Sequence, residues 1–462
     1  MVLWIGLDDT DSLRGMCTTF LATELVRELS TDLDLIGYPR IVRLNPNVPW
    51  KTRGNGALCV RFGRGRGEST PIGEIAGRSI LSFPRSTGND DPRSVVGRIE
   101  RLVERWACFG DPTTNPAFVV FRRPPTARLY WRAVRRIISK EEALDAGRGL
   151  GLVREYKEGR GVIGATAATA WHPHDRTYEI LAYRHPIAWG TPREVDPESV
   201  RRMDRAFPST FNNYDHENAR IVIAPRSPCP VLLGIRGDHV KDLVGAFRTV
   251  RSEPADRWLI FETNQGTDDH VISALPIEPS TTVDFRGDVT RGPRTITGGH
   301  LIFSVDGYEV TAYEPSKQFR EKVGSLVPED RVRVIGSVRD SPRTVNLEKV
   351  QVLHLAEVTR KIANPTCPQC GKRMKSMGRA APYRCARCGV RRPRSAEARE
   401  SVPRRLSLGW YEPPVGSRRH LSKPLQRMTG SVPSEKTSLE PARFRVPESE
   451  ISLRSIGRLS RS

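Results

Sequence analysis

Three carboxylates fall within four residues in Gly6-Leu7-Asp8-Asp9-Thr10-Asp11-Ser12, directly after an apolar run that reads as a strand. Carboxylates this close repel one another, and a divalent cation relieves the repulsion. Mg²⁺ held by a few carboxylates and the phosphates of a nucleotide is the usual arrangement in phosphoryl transfer. An acidic surface turn would carry the same letters. The next segment, Gly15-Met16-Cys17-Thr18-Thr19-Phe20, opens a helix whose Phe20, Leu21, Leu25, Val26 and Leu29 share one face. Thr18 and Thr19 therefore stand at a helix N-terminus, where backbone N–H groups attract phosphate. A threonine there is ordinarily an N-cap. With aspartates just upstream, a reactive or phosphate-contacting hydroxyl is the sharper reading.

Arg43-Leu44-Asn45-Pro46-Asn47 and Pro49-Trp50-Lys51-Thr52-Arg53-Gly54-Asn55-Gly56 form a short stretch dense in Lys, Arg, Asn and Gly. Lys51 and Arg53 suit phosphate, and Gly54 and Gly56 let backbone amides approach it. The P-loop spacing is absent, and a basic surface turn would look alike. Two later polar clusters, Thr210-Phe211-Asn212-Asn213-Tyr214-Asp215 and Thr263-Asn264-Gln265-Gly266-Thr267-Asp268, sit at element ends. They could orient a nucleotide, a base or a cationic amine; ordinary Asx-turns also fit.

Cys367-Pro-Gln-Cys370 and Cys385-Ala-Arg-Cys388 are C-x2-C knuckles, each followed by glycine, with fourteen residues between Cys370 and Cys385. Four thiolates at this spacing make a closed tetrahedral Zn²⁺ site, a zinc ribbon. Lys372, Arg373, Lys375, Arg379, Arg384 and Arg387 surround it, with no acid between 361 and 390. That charge favours a nucleic-acid backbone. The other cysteines, Cys17, Cys59, Cys108 and Cys229, are scattered.

Alternating elements must position these groups. Leu3–Leu7, Ala57–Phe62 and Phe118–Phe121 read as strands, and Arg93–Ala107 as an amphipathic helix through Val95, Val96, Ile99, Leu102, Val103 and Trp106. Leu129, Ala133, Val134, Ile137 and Ile138 give a second helix; residues 63–93 read as a long loop. From 150 to 275, strands at Tyr178–Tyr183, Arg220–Ala224, Val231–Ile235 and Trp258–Glu262 alternate with helices at Ser199–Ala206 and His239–Phe247. Five strands follow, Val283–Val289, His300–Ser304, Tyr308–Tyr313, Arg331–Ser337 and Thr344–Leu353, with a helix at Ser316–Val323 after the third. This is the OB-fold plan, a β-barrel that commonly holds nucleic acid.

The net charge of +21 is uneven: residues 361–462 hold 23 basic and 7 acidic side chains, against 51 and 46 in residues 1–360. A polyanion-binding appendage on a nearly neutral body follows. No stretch approaches 18 apolar residues and the start lacks a basic leader, so no membrane partner and a cytoplasmic location are expected.

IGLDDTDS…GMCTT, RLNPNVPWKTRGNGA, TFNNYD, TNQGTD and YEPSKQFR, in this order and ahead of a zinc ribbon, resemble the archaeal tRNA 2-agmatinylcytidine synthetase family over about residues 1–427. Arg418-Arg419-His420-Leu421 fits the same pattern. The resemblance implies a multidomain α+β chain. It would comprise a kinase-like α/β catalytic domain (1–140), a ferredoxin-like domain (141–275), an OB-fold (276–360) and a zinc ribbon (361–395); the Arg-, Ser- and Pro-rich composition of 396–462 reads instead as a basic, largely disordered tail, which after about 428 goes beyond the family pattern. It implies ATP-dependent replacement of the C2 oxygen of the wobble cytidine by agmatine, in the isoleucine tRNA with anticodon CAU. The base is first phosphorylated, ATP yields AMP and two phosphates, and the product base pairs with adenine so that AUA is read. In this reading Asp8, Asp9, Asp11 and Thr18 are catalytic, the aspartates holding Mg²⁺ and Thr18 being autophosphorylated. Gly15, Thr19, Lys51, Arg53, Gly54, Asn55 and Gly56 bind nucleotide. Thr210, Asn212, Asn213, Asp215, Asn264, Gln265 and Asp268 are candidates for substrate, with Asp215 or Asp268 meeting the agmatine guanidinium. A non-catalytic single-stranded nucleic-acid binder and a small-molecule kinase are the competing readings. Neither explains carboxylates beside a helix N-terminus and an RNA-binding rear half together.

Overall fold

A computed structural model describes residues 2–429, apart from 53, 89 and 274. The first half is built on β1 (Leu3–Asp8), α1 (Thr18–Leu29), β2 (Asp34–Ile36), β3 (Arg40–Arg43), β4 (Gly56–Gly63), β5 (Thr70–Ile75) and β6 (Arg78–Phe83). It continues through α2 (Arg93–Trp106), β7 (Ala117–Phe121), α3 (Ala127–Arg135), α4 (Lys140–Gly147), β8 (Gly151–Glu155) and α5 (Val162–Thr169). The next elements are β9 (Thr177–Arg184), α6 (Pro197–Ala206), β10 (Thr210–Phe211), β11 (Val231–Gly237), α7 (Val240–Thr249) and β12 (Ala255–Thr263).

All twelve strands join one sheet in the order β8-β7-β1-β4-β2-β6-β5-β12-β9-β11-β10, and β3 bridges β4 and β12. β1 runs between β4 and β7, which is why its sequence is apolar on both faces. α1, α2, α6 and α7 cover one face with a core from Leu3 to Phe261; α3 and α5 cover the other around Tyr130 and Trp171. α5 rests so closely on β1 that a Cβ at Gly6 would lie 2.0 Å from the carbonyl oxygen of Ala165.

Two expectations need correcting here. Residues 63–93 are not a loop: β5 and β6 form a hairpin within them, and β5 pairs with β12. Ala76 and Gly77, at φ 53° and 72°, make the turn that twisted hairpins prefer. Arginine, serine and glycine on the solvent side hid its alternation. The division at 140/141 also falls too early, because β8 pairs with β7 and α5 packs on β1 and β4. The two halves share a sheet, so no linker marks the join.

Behind the sheet, β13 (Thr282–Thr295), β14 (Leu301–Val305), β15 (Tyr308–Ala312), β16 (Arg331–Val338) and β17 (Val345–His354) form a barrel. It closes because β13 pairs with both β14 and β16, while β17 pairs with β15 and β16. The short helix α8 (Gln318–Val323) lies between the third and fourth barrel strands. Valines dominate the barrel's separate core.

The chain then makes β18 (Thr359–Ala363), the cysteine knuckles, and β19 (Ala398–Ser401), which pairs back on β18. β20 (Gly409–Tyr411) adds to β17, and residues 412–429 strap the barrel to the sheet, ending in α9 (Leu425–Thr429). The expected disordered tail from 396 is thus structured as far as 429. Its basic residues are satisfied by carboxylates of the body: Arg404 by Asp330 at 2.6 Å, and Arg427 by Asp175 at 2.9 Å and Asp238 at 2.7 Å. Composition suggests disorder where a segment cannot bury apolar area; here ion pairs and Leu421 anchor it. Residues 430–462, the rest of that expected tail, lie outside the described residues.

Candidate functional site

β1 delivers Asp8 to the end of the central strand, and Asp9 turns the chain through φ 58°, a conformation that aspartate tolerates. The N-terminus of α5 closes over this turn. A Cβ on Gly164 would lie 1.9 Å from Asp8 Oδ2, and one on Gly161 would lie 2.7 Å from the Asp8 carbonyl oxygen. These glycines let the helix start sit directly on the carboxylates. Asp9 Oδ2 accepts from the Asn115 N–H at 3.0 Å, and the Thr52 hydroxyl lies 3.5 Å from Asp9 Oδ1. The aspartate turn and the Lys51–Gly56 loop are therefore neighbours.

Both carboxyls hold their protons more tightly than usual. Burial, then the charge of Asp9, pushes the Asp8 carboxyl well above the usual range. Burial lifts Asp9 to about 6, partly offset by the Asn115 N–H and by Arg160. Hard oxygen donors that ionise reluctantly by themselves suit a divalent ion and phosphate together.

Asp8, Asp9, Asp11, Thr18, Thr19, Lys51, Gly54, Asn55, Gly56 and Asn212 line one cavity of about 410 Å³. The N-cap of α1 is Cys17, without a side-chain cap, so Thr18 is the first helical residue and is no cap. Its buried Oγ1 accepts from the Thr10 hydroxyl at 3.1 Å, and Thr19 Oγ1 lies 3.0 Å from Cys17 Sγ. Lys51 Nζ donates to the Val48 carbonyl at 2.9 Å. The room left by Gly54 and Gly56 is taken by Arg43, whose Nη1 would lie 2.7 and 2.8 Å from their Cβ atoms. Arg53 lies outside the described residues.

Other expected residues do not line the cavity. Gly15 closes the turn before α1 by exchanging backbone bonds with Ser12. Thr210 and Asn213 bond each other at 2.8 Å, and Asp215 accepts from Asn218. Asp268 is occupied by Lys349 at 2.6 Å and by the Lys423 N–H at 2.7 Å. Neither Asp215 nor Asp268 lines this cavity. Gln265 supports the wall from behind, donating to Glu179 Oε2 at 2.5 Å.

Asn264 is a structural staple. Its Oδ1 accepts from the Arg43 N–H at 2.7 Å, and its Nδ2 donates to the Arg43 carbonyl and the Tyr130 hydroxyl at 2.8 Å. Asn264→Ala removes a bond from the part-buried Arg43 N–H and carbonyl and from the buried Tyr130 hydroxyl, which keeps Asp269. We expect a loss of about 3 kcal/mol, read by denaturant unfolding, with a matching fall in activity.

Several cavity residues escaped the sequence reading. Glu179 and Arg236 are cross-strand partners on β9 and β11, bonded at 3.0 Å. A lone acid and a lone base inside apolar strands were the available signal. Arg160 stands ahead of α5; His420, quoted from the sequence only within Arg418-Arg419-His420-Leu421, arrives from the strap. The nearby Arg43 charge, then burial, holds the His420 imidazole well below the usual histidine value.

The four cysteine sulfurs lie within 4.8 Å of one another, with Cys370 Sγ 3.6 Å from Cys385 Sγ. Gly371 and Gly389, at φ 69° and 71°, turn the two knuckles, and their N–H groups bond Cys367 and Cys385 carbonyls at 2.9 and 3.0 Å. Four convergent sulfurs fit a structural zinc.

Family models described as the TiaS TCKD domain, the TiaS FLD domain and the TiaS C-terminal zinc ribbon domain match residues 4–156, 159–270 and 364–406. The chain is 40% identical to the isoleucine tRNA 2-agmatinylcytidine synthetase TiaS of Archaeoglobus fulgidus, over 93% of this chain and 98% of that protein. The protein of the same name from Methanocaldococcus jannaschii is 37% identical, over 92% and 99%. Among solved structures, a complex of TiaS with isoleucine tRNA and ATP superposes with a TM-score of 0.79 at 37% identity, covering 94% of this chain and 99% of that one. A complex of TiaS with isoleucine tRNA, AMPCPP and agmatine gives 0.77 at 36%, covering 94% and 99%.

Proposed function

This chain belongs to the isoleucine tRNA 2-agmatinylcytidine synthetase family, and on that premise we propose how its cavity does the work. The enzyme is an ATP-dependent ligase that forms a C–N bond between agmatine and C2 of the wobble cytidine in the CAU-anticodon isoleucine tRNA. The observation that carries the reading is the shared cavity of the aspartate turn, the α1 start and the Lys51–Gly56 loop.

The chemistry needs a leaving group, because a pyrimidine C2 oxygen does not depart unaided. Transfer of a phosphoryl group from ATP to that oxygen lets it leave as phosphate when the neutral primary amine of agmatine forms the C2–N bond. The starts of α1 and α5 and the guanidinium groups of Arg43 and Arg160 face the developing phosphate charge. Asp8, Asp9 and Asp11 would hold Mg²⁺, which supplies Lewis-acid stabilisation of phosphate oxygens. Thr18 offers its hydroxyl as a phosphoryl acceptor within the cavity. Glu179 lines the opposite wall and is our candidate for the agmatine cation there, in exchange for one of its bonds to Arg236 or Gln265. We read the first half as a kinase-like domain followed by a ferredoxin-like one, and the barrel as an OB-fold. A tRNA substrate is consistent with a cytoplasmic location; no helix among the described residues is long and apolar enough to cross a membrane.

Incubation with ATP, radiolabelled agmatine and CAU-anticodon tRNA tests this. Label is expected in that tRNA alone; ATP turnover without RNA labelling would leave a small-molecule kinase instead.

Asp9 also makes a pH prediction. Its folded carboxyl, at about 6, binds a proton more tightly than the unfolded one, near 3.8. Its contribution therefore favours the fold at low pH and is lost as pH rises between those values. Without Mg²⁺, the melting temperature of the wild type relative to Asp9→Asn should fall across that window. Adding Mg²⁺ and ATP should reverse the fall, because ionised Asp9 is then paired.

A further inference from the structure

Three arginines gather on the α3 and α5 face of the sheet, at the far end of β1 from the aspartates. Trp4 on β1 stands opposite Arg61 on β4, and Arg40 on β3 stands opposite Cys59, two residues before Arg61. Arg176, just ahead of β9, completes the group. Trp4 is four residues upstream of Asp8 on β1, about 13 Å at the strand rise. Neither Trp4 nor any of these arginines lines the catalytic cavity.

One buried carboxylate serves two of the three. Glu262 on β12 accepts from Arg40 Nε at 3.0 Å through Oε2, and from Arg176 Nη1 at 2.8 Å through Oε1. Arg40 also donates to the Trp171 carbonyl at 3.1 Å. Arg61 is left over. Among the described residues it makes no ion pair, and its Nε, shut off from solvent, has no acceptor. Its guanidinium carbon lies 5.2 Å from the centre of the Trp4 ring, and that of Arg40 lies 5.6 Å from the same ring.

A ring face attracts a cation more weakly than burial without a counter-ion disfavours it. Burial, then the charge of Arg40, pulls the Arg61 guanidinium down to about 10. Gly37 leaves the group its space, since a Cβ there would lie 2.2 Å from Arg61 Nη2. Three guanidinium groups against one carboxylate make the cluster short of negative charge, and strands on every side keep the groups together.

We propose that Arg61, with Arg40 and Arg176, forms a second anion site, separate from the catalytic cavity, which takes a phosphate group. Guanidinium forks match phosphate oxygens in pairs, and a phosphate dianion carries the charge that the cluster lacks. Free phosphate and a phosphodiester of bound RNA share this chemistry.

The test uses the full-length protein, its catalytic cavity filled by Mg²⁺ and an unhydrolysable ATP analogue, with inorganic phosphate as the probe. Against chloride at matched ionic strength, millimolar phosphate should raise the wild-type melting temperature by about 2 °C. Arg61→Met should abolish the rise, yet melt no lower than the wild type in chloride, because the charge it removes had no partner. Arg176→Gln, at a side chain 24% exposed, keeps a donor for Glu262 and should weaken the phosphate response about tenfold. A second arm titrates CAU tRNA at several salt concentrations. With a phosphodiester as the occupant, Arg61→Met should weaken binding about threefold and lower the salt slope by about one. Loss of the phosphate response with tRNA binding unchanged assigns the site to free phosphate. A rise that survives Arg61→Met, or no rise in the wild type, with tRNA affinity and slope unchanged, overturns the site. That result leaves the reaction assigned to the main cavity standing, because no residue of the cluster belongs to it.

Discussion

Asp9→Asn is expected to reduce agmatine incorporation by about a thousandfold or more while tRNA affinity stays within about twofold. The substitution keeps an oxygen for the Asn115 N–H, 3.0 Å from Asp9 Oδ2, so the turn retains its bond. What it removes is the charge. At neutral pH that charge is held against burial, the chief reason that the carboxyl sits at about 6. The variant should therefore melt no lower than the wild type, and higher when Mg²⁺ is absent. Lost activity with unchanged or raised stability is the signature of a group kept for chemistry. Thr18→Ala probes the same cavity from α1, and should lose incorporation with tRNA binding intact, since Thr18 is buried and makes no cap. A fully active Asp9→Asn enzyme would falsify the placement of the phosphoryl-transfer site.

Cys385→Ser should cost about a hundredfold in tRNA affinity and flatten its dependence on salt. The knuckle module has little else to hold it: Met374 and Tyr383 are its chief buried apolar side chains besides the cysteines. Structural zinc supplies roughly 10–16 kcal/mol in modules of this kind, more than such a core can replace. Unfolding should stay local, because the cores of the sheet and the barrel share no member with the knuckle core. Calorimetry should show the main transition unmoved while the ribbon's lysines and arginines cease to act together. Wild-type affinity in the zinc-free variant would mean that these charges bind RNA without being positioned.

How much of this was legible in the sequence depended on the range of the interactions. The barrel strands and α2 were readable because their signals are local: alternation in Tyr308–Ala312, and apolar spacing from Val95 to Val103. The cysteine spacing was readable because metal geometry fixes it. The 63–93 hairpin is hidden because its polar letters mask the alternation, and the burial of its outer strand against β12 depends on a segment far along the chain. The same distance hid the cavity's far wall. Glu179, Arg236 and His420 are brought to Asp8 by a shared sheet and a returning strap, and no short window of sequence contains them together. Asp268 and Asp215 lie outside the cavity, and polar letters at element ends look identical whether they hold a ligand or a turn.

The strap described above has a bearing on synthesis. His420 walls the catalytic cavity, and Leu421 fills the core under α3 and α5, so a late stretch of the polypeptide finishes what the first residues begin. A ribosome-bound chain that has emerged only as far as the barrel already carries the aspartates and Thr18, yet its reaction chamber stands open on one side. Products terminated before the strap would be similarly unfinished. If the cavity is the site of reaction, as we propose, it is walled on every side only in chains translated through residue 421.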